Sequence, residues 1–245
     1  LKRSISHIRS FVCFASKQKN MSFIYEAFKL LRVLDLLVIR ISNFPNQILN
    51  LVLLRYLALR GKYLILESSI SNLWNLETLI VKESIGNVIP VTVWKMVKLR
   101  HLCIEGENFV KEPPSIDGYP SVWKNLQTIT NIRPSSSCTN ILARTPNLRK
   151  LGFCGNLTHK GHLWLPDLDF LNHLETLKLL NRQNDGHSYN LQGVKFPLNL
   201  KRLTLSNTAL EWKEMSTLGM LPNLESLKLE FQACVGPRWE TSDGG

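Results

Sequence analysis

Few residues of this 245-residue sequence have the types and spacing that chemistry needs. His159-Lys160-Gly161-His162 places two imidazoles close together. Such a pair ligates a metal only when further ligands arrive from elsewhere, and a glycine inside it with no nearby carboxylate or cysteine pair reads as a solvated loop. His101, beside Cys103 and Glu105 on an alternating segment, reads as a surface histidine rather than a general base. Cys13, Cys103, Cys138, Cys154 and Cys234 are odd in number and widely spaced, with no C-x-x-C pair. They read as small buried apolar side chains and point to the reducing cytosol. The sequons Asn20-Met21-Ser22 and Asn156-Leu157-Thr158 leave a secreted location formally open, but so short a pattern arises often by chance. Phosphate loop, nucleophile elbow and H-E-x-x-H patterns are absent. No catalytic, metal-ligating or cofactor-binding residue is assigned, and the chain is not read as an enzyme.

The elements that hold these side chains follow from a repeat. The unit LxxLxxLxL occurs at Leu51-Leu54-Leu57-Leu59, Leu73-Leu76-Leu79-Val81, Met96-Leu99-Leu102-Ile104, Leu171-Leu174-Leu177-Leu179 and Leu221-Leu224-Leu227-Leu229. Weaker copies centre on Phe11, Leu34, Ile129, Leu151 and Leu203, making ten units whose central residues recur every 22 to 27 positions. Period-2 alternation in a short strand turns Leu57 and Leu59 inward and Tyr56, Ala58 and Arg60 outward. One such strand cannot bury its leucines alone, so neighbours stack in parallel. The expected fold is therefore α/β: a leucine-rich-repeat solenoid, a curved horseshoe with a parallel β-sheet on the concave face and loops and short helices on the convex face, forming one domain over residues 1–245. P-x-x-I/V segments, as in Pro45–Ile48, Pro113–Ile116 and the variant Pro90–Trp94, should start the returns. Residues 105–122 and 181–195 read as longer loops inserted into the ladder. The longest apolar stretch, Leu30 to Ile41, is broken by Arg32, Asp35 and Arg40, short of the ~18 clean residues of a membrane span. Leu1 is not an initiator methionine and no signal peptide follows it, so a fragment is expected.

Charge supplies the positive signal. The chain carries 30 basic against 19 acidic side chains, a formal +11. Alternation brings Arg60, Lys82, Lys150, Lys178, Arg202 and Lys228 to the concave face, against Asp35, Glu105 and Glu230. A net basic stripe implies an acidic partner surface. Nucleic acid is a poor fit, because the stacking aromatics on this face are essentially Tyr56 and Phe14 and no recognition module is present.

Several phrases resemble a known family: Phe28–Leu36 (FKLLRVLDL), Val93–Leu102 (VWKMVKLRHL), Phe196–Leu205 (FPLNLKRLTL), Leu221–Leu229 (LPNLESLKL) and the ending Gly236–Glu240 (GPRWE). Together they are similar to the leucine-rich-repeat region of plant intracellular nucleotide-binding immune receptors, the coiled-coil class of nightshades typified by late-blight resistance proteins. The resemblance implies a cytoplasmic receptor, membrane-associated or nucleocytoplasmic in its full-length form. Its repeats sense a pathogen effector, directly or through a guarded host protein, and hold a nucleotide-binding switch inactive. It implies no cofactor in this fragment, with ADP or ATP bound by an upstream nucleotide-binding domain that follows a coiled coil. That domain would be an intramolecular partner, docked at Arg60, Lys82 and Arg100. Lys150, Lys178, Arg202 and Lys228, with the loop 181–195, would recognise the outside partner. Neither DNA nor a membrane span is expected. The alternatives are the substrate-recognition repeats of a ubiquitin-ligase adaptor and a nonfunctional receptor remnant.

Overall fold

A computed structural model describes residues 7–15, 22–83, 88–113, 119–183 and 186–236. Asn20 and Met21 of the first sequon, positions 114–118 with the rest of the third proline segment, positions 184 and 185, and the Pro237–Glu240 part of the ending lie outside the described residues. The chain divides into two compact units, Leu1–Thr128 and Ile129–Gly245.

The LxxLxxL spacing of the first unit is a chain of three-residue turns. Leu51 donates its N–H to the carbonyl of Ile48 at 2.9 Å, and Leu54 donates to Leu51 at 2.9 Å. Leu73 and Leu76 repeat the pattern from Ile70, and Met96 and Leu99 from Val93. An i to i+3 turn brings every third side chain to the same side, so each leucine falls behind the last and faces the core. Ile48, Leu51, Leu54, Leu73 and Leu76 have no exposed surface. The returns preceding these turns are 3-10 helices at Asn46–Asn50, Ser68–Asn72 and Val91–Lys95. Pro45 and Pro90 occupy the position ahead of two of them, as the proline spacing predicts, while Glu67 serves the other. A short helix, α1 (Ser22–Ala27), fills the first return.

After each turn the chain straightens into a strand: β1 (Ser10–Val12), β2 (Val33–Arg40), β3 (Tyr56–Arg60), β4 (Thr78–Lys82), β5 (Val88–Ile89) and β6 (His101–Val110). The sheet order is β1-β2-β3-β4-β6, all parallel, in a register that places Phe11, Leu34, Leu57, Leu79 and Leu102 side by side. Leu59, Val81 and Ile104 form a second fully buried row, and Leu36 on β2 is fully buried too. Each such leucine contributes roughly 1.5–3 kcal/mol of burial, which is what draws successive repeats together. Ala58 is also fully buried although it faces outward, since its methyl group is short and its register neighbours are Asp35 and Ile80.

The second unit repeats the design with β7 (Thr128–Ile132), β8 (Lys150–Gly155), β9 (Thr158–His159), β10 (His162–Leu163), β11 (Thr176–Asn181), β12 (Arg202–Ser206), β13 (Leu210–Glu211), β14 (Ser226–Glu230) and β15 (Cys234–Val235). Its ladder runs β7-β8-β11-β12-β14 and aligns Leu151, Leu177, Leu203 and Leu227. Helices α2 (Ser136–Ala143) and α3 (Met215–Gly219) occupy two returns. The pair β9/β10 is antiparallel and β13/β15 is parallel. Within each described unit, the leucine-rich-repeat fold is as expected.

Both expected insertion loops need correction. Residues 105–110 are not loop: β6 runs on to Val110, and Phe109 and Val110 align with Val88 and Ile89 of β5. Buried Asn108 stitches this extension to the ladder by donating Nδ2–H to the carbonyls of Ile104 at 2.9 Å and Gly106 at 3.1 Å. The segment after β11 is pinned as well. Tyr189 and Asn190 make single parallel bridges to Leu210 and His162, and Tyr189 and Leu191 are buried.

Candidate functional site

Register decides what faces outward. The central outward row reads Val12, Asp35, Ala58, Ile80 and Cys103 in the first unit, and Gly152, Lys178, Thr204 and Lys228 over β8, β11, β12 and β14 of the second. The row before it carries Lys150 and Arg202, and the row after it carries Arg60, Lys82 and Glu230. Six of the seven basic candidates therefore stand on one face of their own unit's sheet. Arg100 does not. It precedes β6, and its N–H donates to the Glu77 carbonyl at 2.8 Å, so it belongs to the leading ends of the strands.

These cations differ in how free they are. Arg60 donates to Glu83, and Arg40 donates through Nε to the other carboxylate oxygen at 2.8 Å. Hydrogen bonding from Arg60 holds the Glu83 carboxyl below its ordinary range, and the reciprocal bond raises the Arg60 guanidinium. Glu83 has left-handed φ of 58°, and its N–H donates to the Glu105 carboxylate at 2.9 Å. Thus Glu105 holds a backbone turn, while the glutamate that neutralises the face at Arg60 is Glu83. The basic-stripe reading omitted Glu83, although its place next to Lys82 at the end of a strand was visible. In the second unit Glu230 bridges Lys178 at 3.4 Å and Lys228 at 2.7 Å, and the Lys228 bond in particular lowers its carboxyl. Lys82, Lys150 and Arg202 are exposed, with no ion pair among the described residues.

His101 is half-buried, with Nδ1 3.0 Å from Thr128 Oγ1. Burial and the adjacent Arg100 push its pKa below the ordinary histidine range, so it stays neutral at pH 7. Half-buried on β6 and held to Thr128, it is less exposed than the surface histidine the sequence suggests. His159 and His162 face each other across the β9/β10 pair, and His162 Nδ1 lies 2.6 Å from Asn190 Oδ1. Among the described residues no group of three or more histidine, cysteine or carboxylate side chains could hold a metal. Cys13, Cys138 and Cys154 are buried, and none of the five cysteines is in a disulfide among the described residues. No described helix is long and apolar enough to cross a membrane.

One recurring device escaped the sequence reading. Asparagines just ahead of a strand donate Nδ2–H to the preceding repeat: Asn75 to Val52 and Asn125 to Val97 at 2.9 Å, Asn199 to Asn172 at 2.7 Å, and Asn223 to Leu198 at 2.9 Å. The N-L dipeptides at 75–76, 125–126, 199–200 and 223–224 were the available signal.

Sequence comparison adds what geometry does not. A family described as "Leucine-rich repeat region" matches residues 7–212. The chain is 37% identical over 243 residues to late blight resistance protein homolog R1B-8 of Solanum demissum, covering 91% of this chain and 19% of that protein. It is 36% identical over 238 residues to homolog R1B-16 of the same species, covering 92% and 17%. It thus spans less than a fifth of the length of these curated relatives. Two solved structures share the fold. One is the Arabidopsis receptor kinase HAESA, in complex with the peptide hormone IDA and the co-receptor SERK1, at TM-score 0.54 and 18% identity over 84% of this chain and 35% of HAESA. The other is a leucine-rich-repeat protein of Leptospira interrogans, at TM-score 0.51 and 21% identity over 84% and 56%.

Proposed function

The chain belongs to the leucine-rich-repeat-region family, and from that membership we propose that it is the protein-recognition region of a plant disease-resistance receptor, working by binding and not by catalysis. The observation that carries this reading is the outward sheet face of each unit: Lys82 in the first and Lys150 and Arg202 in the second project unpaired, among the described residues, above rows of buried leucines. A cation on a strand whose opposite face is locked in a core needs no backbone ordering to meet a carboxylate and gives up only its own side-chain rotamers, so charge complementarity there can select partners. Similarity to late blight resistance protein homologs supports the setting.

In the finer reading the first unit holds a nucleotide-binding switch at rest through Arg60, Lys82 and Arg100. The second unit meets a pathogen effector or guarded host protein through Lys150, Lys178, Arg202 and Lys228. Nucleotide is bound by the switch, and the receptor acts in the cytoplasm. Pairwise charge reversal in the receptor that carries this chain, scored in leaf tissue, tests both halves. Lys82→Glu with Arg100→Glu should weaken co-precipitation with the nucleotide-binding part and raise resting cell death. Lys150→Glu with Arg202→Glu should abolish the triggered response while leaving the resting state intact. Unchanged behaviour of both pairs would overturn the reading.

A further inference from the structure

The strand ends of the second unit differ from those of the first. The third outward row, which in the first unit carries the long cations Arg60 and Lys82, there reads Cys154, Leu180, Ser206 and Glu230 over β8, β11, β12 and β14. Its middle members are shorter than arginine or lysine and leave the sheet recessed, and the residues that follow the strands build a rim around the gap. The result is a cavity of about 450 Å³ with Ser206 at its base and Arg182, Asn207, Phe231 and Gln232 among its walls. Ligand sites span roughly 300–1,000 Å³, so this one, near the small end, suits one or two residues of a polypeptide.

Three features of the cavity are left unexplained by the fold. Ser206 has no exposed surface, and its hydroxyl has no hydrogen-bond partner. An orphaned buried hydroxyl costs free energy that the acceptor of a ligand would recover. Arg182 is exposed, its Nε donates to the Cys154 thiol at 3.2 Å, and among the described residues no carboxylate neutralises it. Phe231 is 91% exposed with a left-handed φ of 53°, a conformation that bulky side chains rarely hold. Asn207 has φ of 56° at lower cost, because asparagine tolerates that region, and its Nδ2–H ties the rim to the Asn181 carbonyl at 3.1 Å.

We propose that this recess at the trailing ends of β11, β12 and β14 seats a carboxylate of the partner polypeptide, from an acidic side chain or a chain terminus, with an adjacent apolar side chain against Phe231. The Ser206 hydroxyl donates to one oxygen and the terminal guanidinium N–H groups of Arg182 to the other. A monoanion fits better than a phosphate dianion. Glu230 neighbours Ser206 in register, and although Lys178 and Lys228 hold its carboxylate at 3.4 and 2.7 Å, it penalises each further negative charge beside it. The seat rests on the reading of the second unit's sheet face as the surface that meets the outside partner, and names the group of that partner it holds.

The test is a nuclear magnetic resonance titration of the isotope-labelled 245-residue chain with short capped peptides. One carries an aspartate followed by a phenylalanine, one has asparagine in the aspartate's place, and one ends in a phenylalanine with a free carboxylate. Saturable shifts of the Ser206, Asn207 and Gln232 amides are expected with either carboxylate peptide, and the tighter of the two identifies side chain or terminus as the source. Ser206→Ala and Arg182→Gln should each weaken binding about tenfold. Ser206→Ala should melt no lower than the parent, because only an unpaired hydroxyl is lost, so weaker binding there does not come from a weaker fold. Equal binding of the asparagine peptide, indifference to Arg182→Gln or to Ser206→Ala, or no saturable shift at these amides overturns the proposal. Tighter, Arg182-dependent binding of a phosphoserine peptide overturns it too, since the site would then take a dianion. The titration reads the seat alone, whereas the leaf-tissue charge reversals read the sheet face at Lys150 and Arg202, so the two readings fail separately.

Discussion

At the scale of single residues, charge on this protein is governed by a few carboxylates placed where the backbone turns. Glu83 sits in the left-handed region, joins Arg40 and Arg60, and has its own N–H held by Glu105. Its carboxyl is held below the ordinary range in the folded state. The stability it contributes is therefore present above the pKa of the unfolded chain and is lost as pH falls through the depressed folded value. Thermal midpoints of the parent and Glu83→Gln should differ at pH 7 and converge in acid, and a gap that persists unchanged at low pH would show that the pair does not act through ionisation. The candidate cations could be found by period-2 alternation, and six of the seven lie on the face it assigned. Alternation places Lys228 and Glu230 on one face, but it could not supply the pairings between strands, in which Glu83 meets Arg40 and Arg60 and Glu230 reaches past β12 to Lys178, 52 positions away.

At the scale of elements, each repeat is a series of tight turns feeding a strand, and neighbouring repeats approach closely. Gly61 marks the closest approach: a Cβ added there would lie 2.0 Å from the Ile41 carbonyl oxygen, a backbone atom that cannot swing aside. Gly61→Ala should cost about 1–3 kcal/mol in equilibrium urea unfolding, since one strand must shift from its neighbour. The asparagine ties act at the same junctions. Asn125→Ala removes an exposed bond to the Val97 carbonyl and should cost about 0.5–1 kcal/mol, with Asn125→Asp no better because a carboxylate has no N–H to donate. If Asn125→Asp matched the parent, the tie would not be a donor bond to that carbonyl. The strands, the proline-led returns and the ladder register were legible from LxxLxxLxL and P-x-x-I/V. The extension of β6 to Val110 was not, because Gly106 and the polar Glu107 and Asn108 look like a break, and only β5 and the buried Asn108 amide make the segment a strand.

At the scale of the whole molecule, burial varies along the ladder. Leu203 is 1% exposed between its neighbours, whereas Leu227 and Leu229 on β14 are each 38% exposed. In a stack of repeats stability is a sum of repeat and nearest-neighbour terms, so equivalent leucines contribute according to how many neighbours they touch. Leu203→Ala should lose about 2–5 kcal/mol, and Leu227→Ala clearly less. Hydrogen exchange should likewise find the β3, β4, β11 and β12 amides protected longest. Equal losses at Leu203 and Leu227 would contradict this gradient. The sequence by itself determined the repeat, the inward and outward faces of each strand and the net basic character, because each follows from local spacing and composition. Only the tertiary structure decided which cations remain free and which insertions become strand. Those outcomes depend on which rungs become neighbours, and neighbours in the sheet are more than twenty residues apart in the chain.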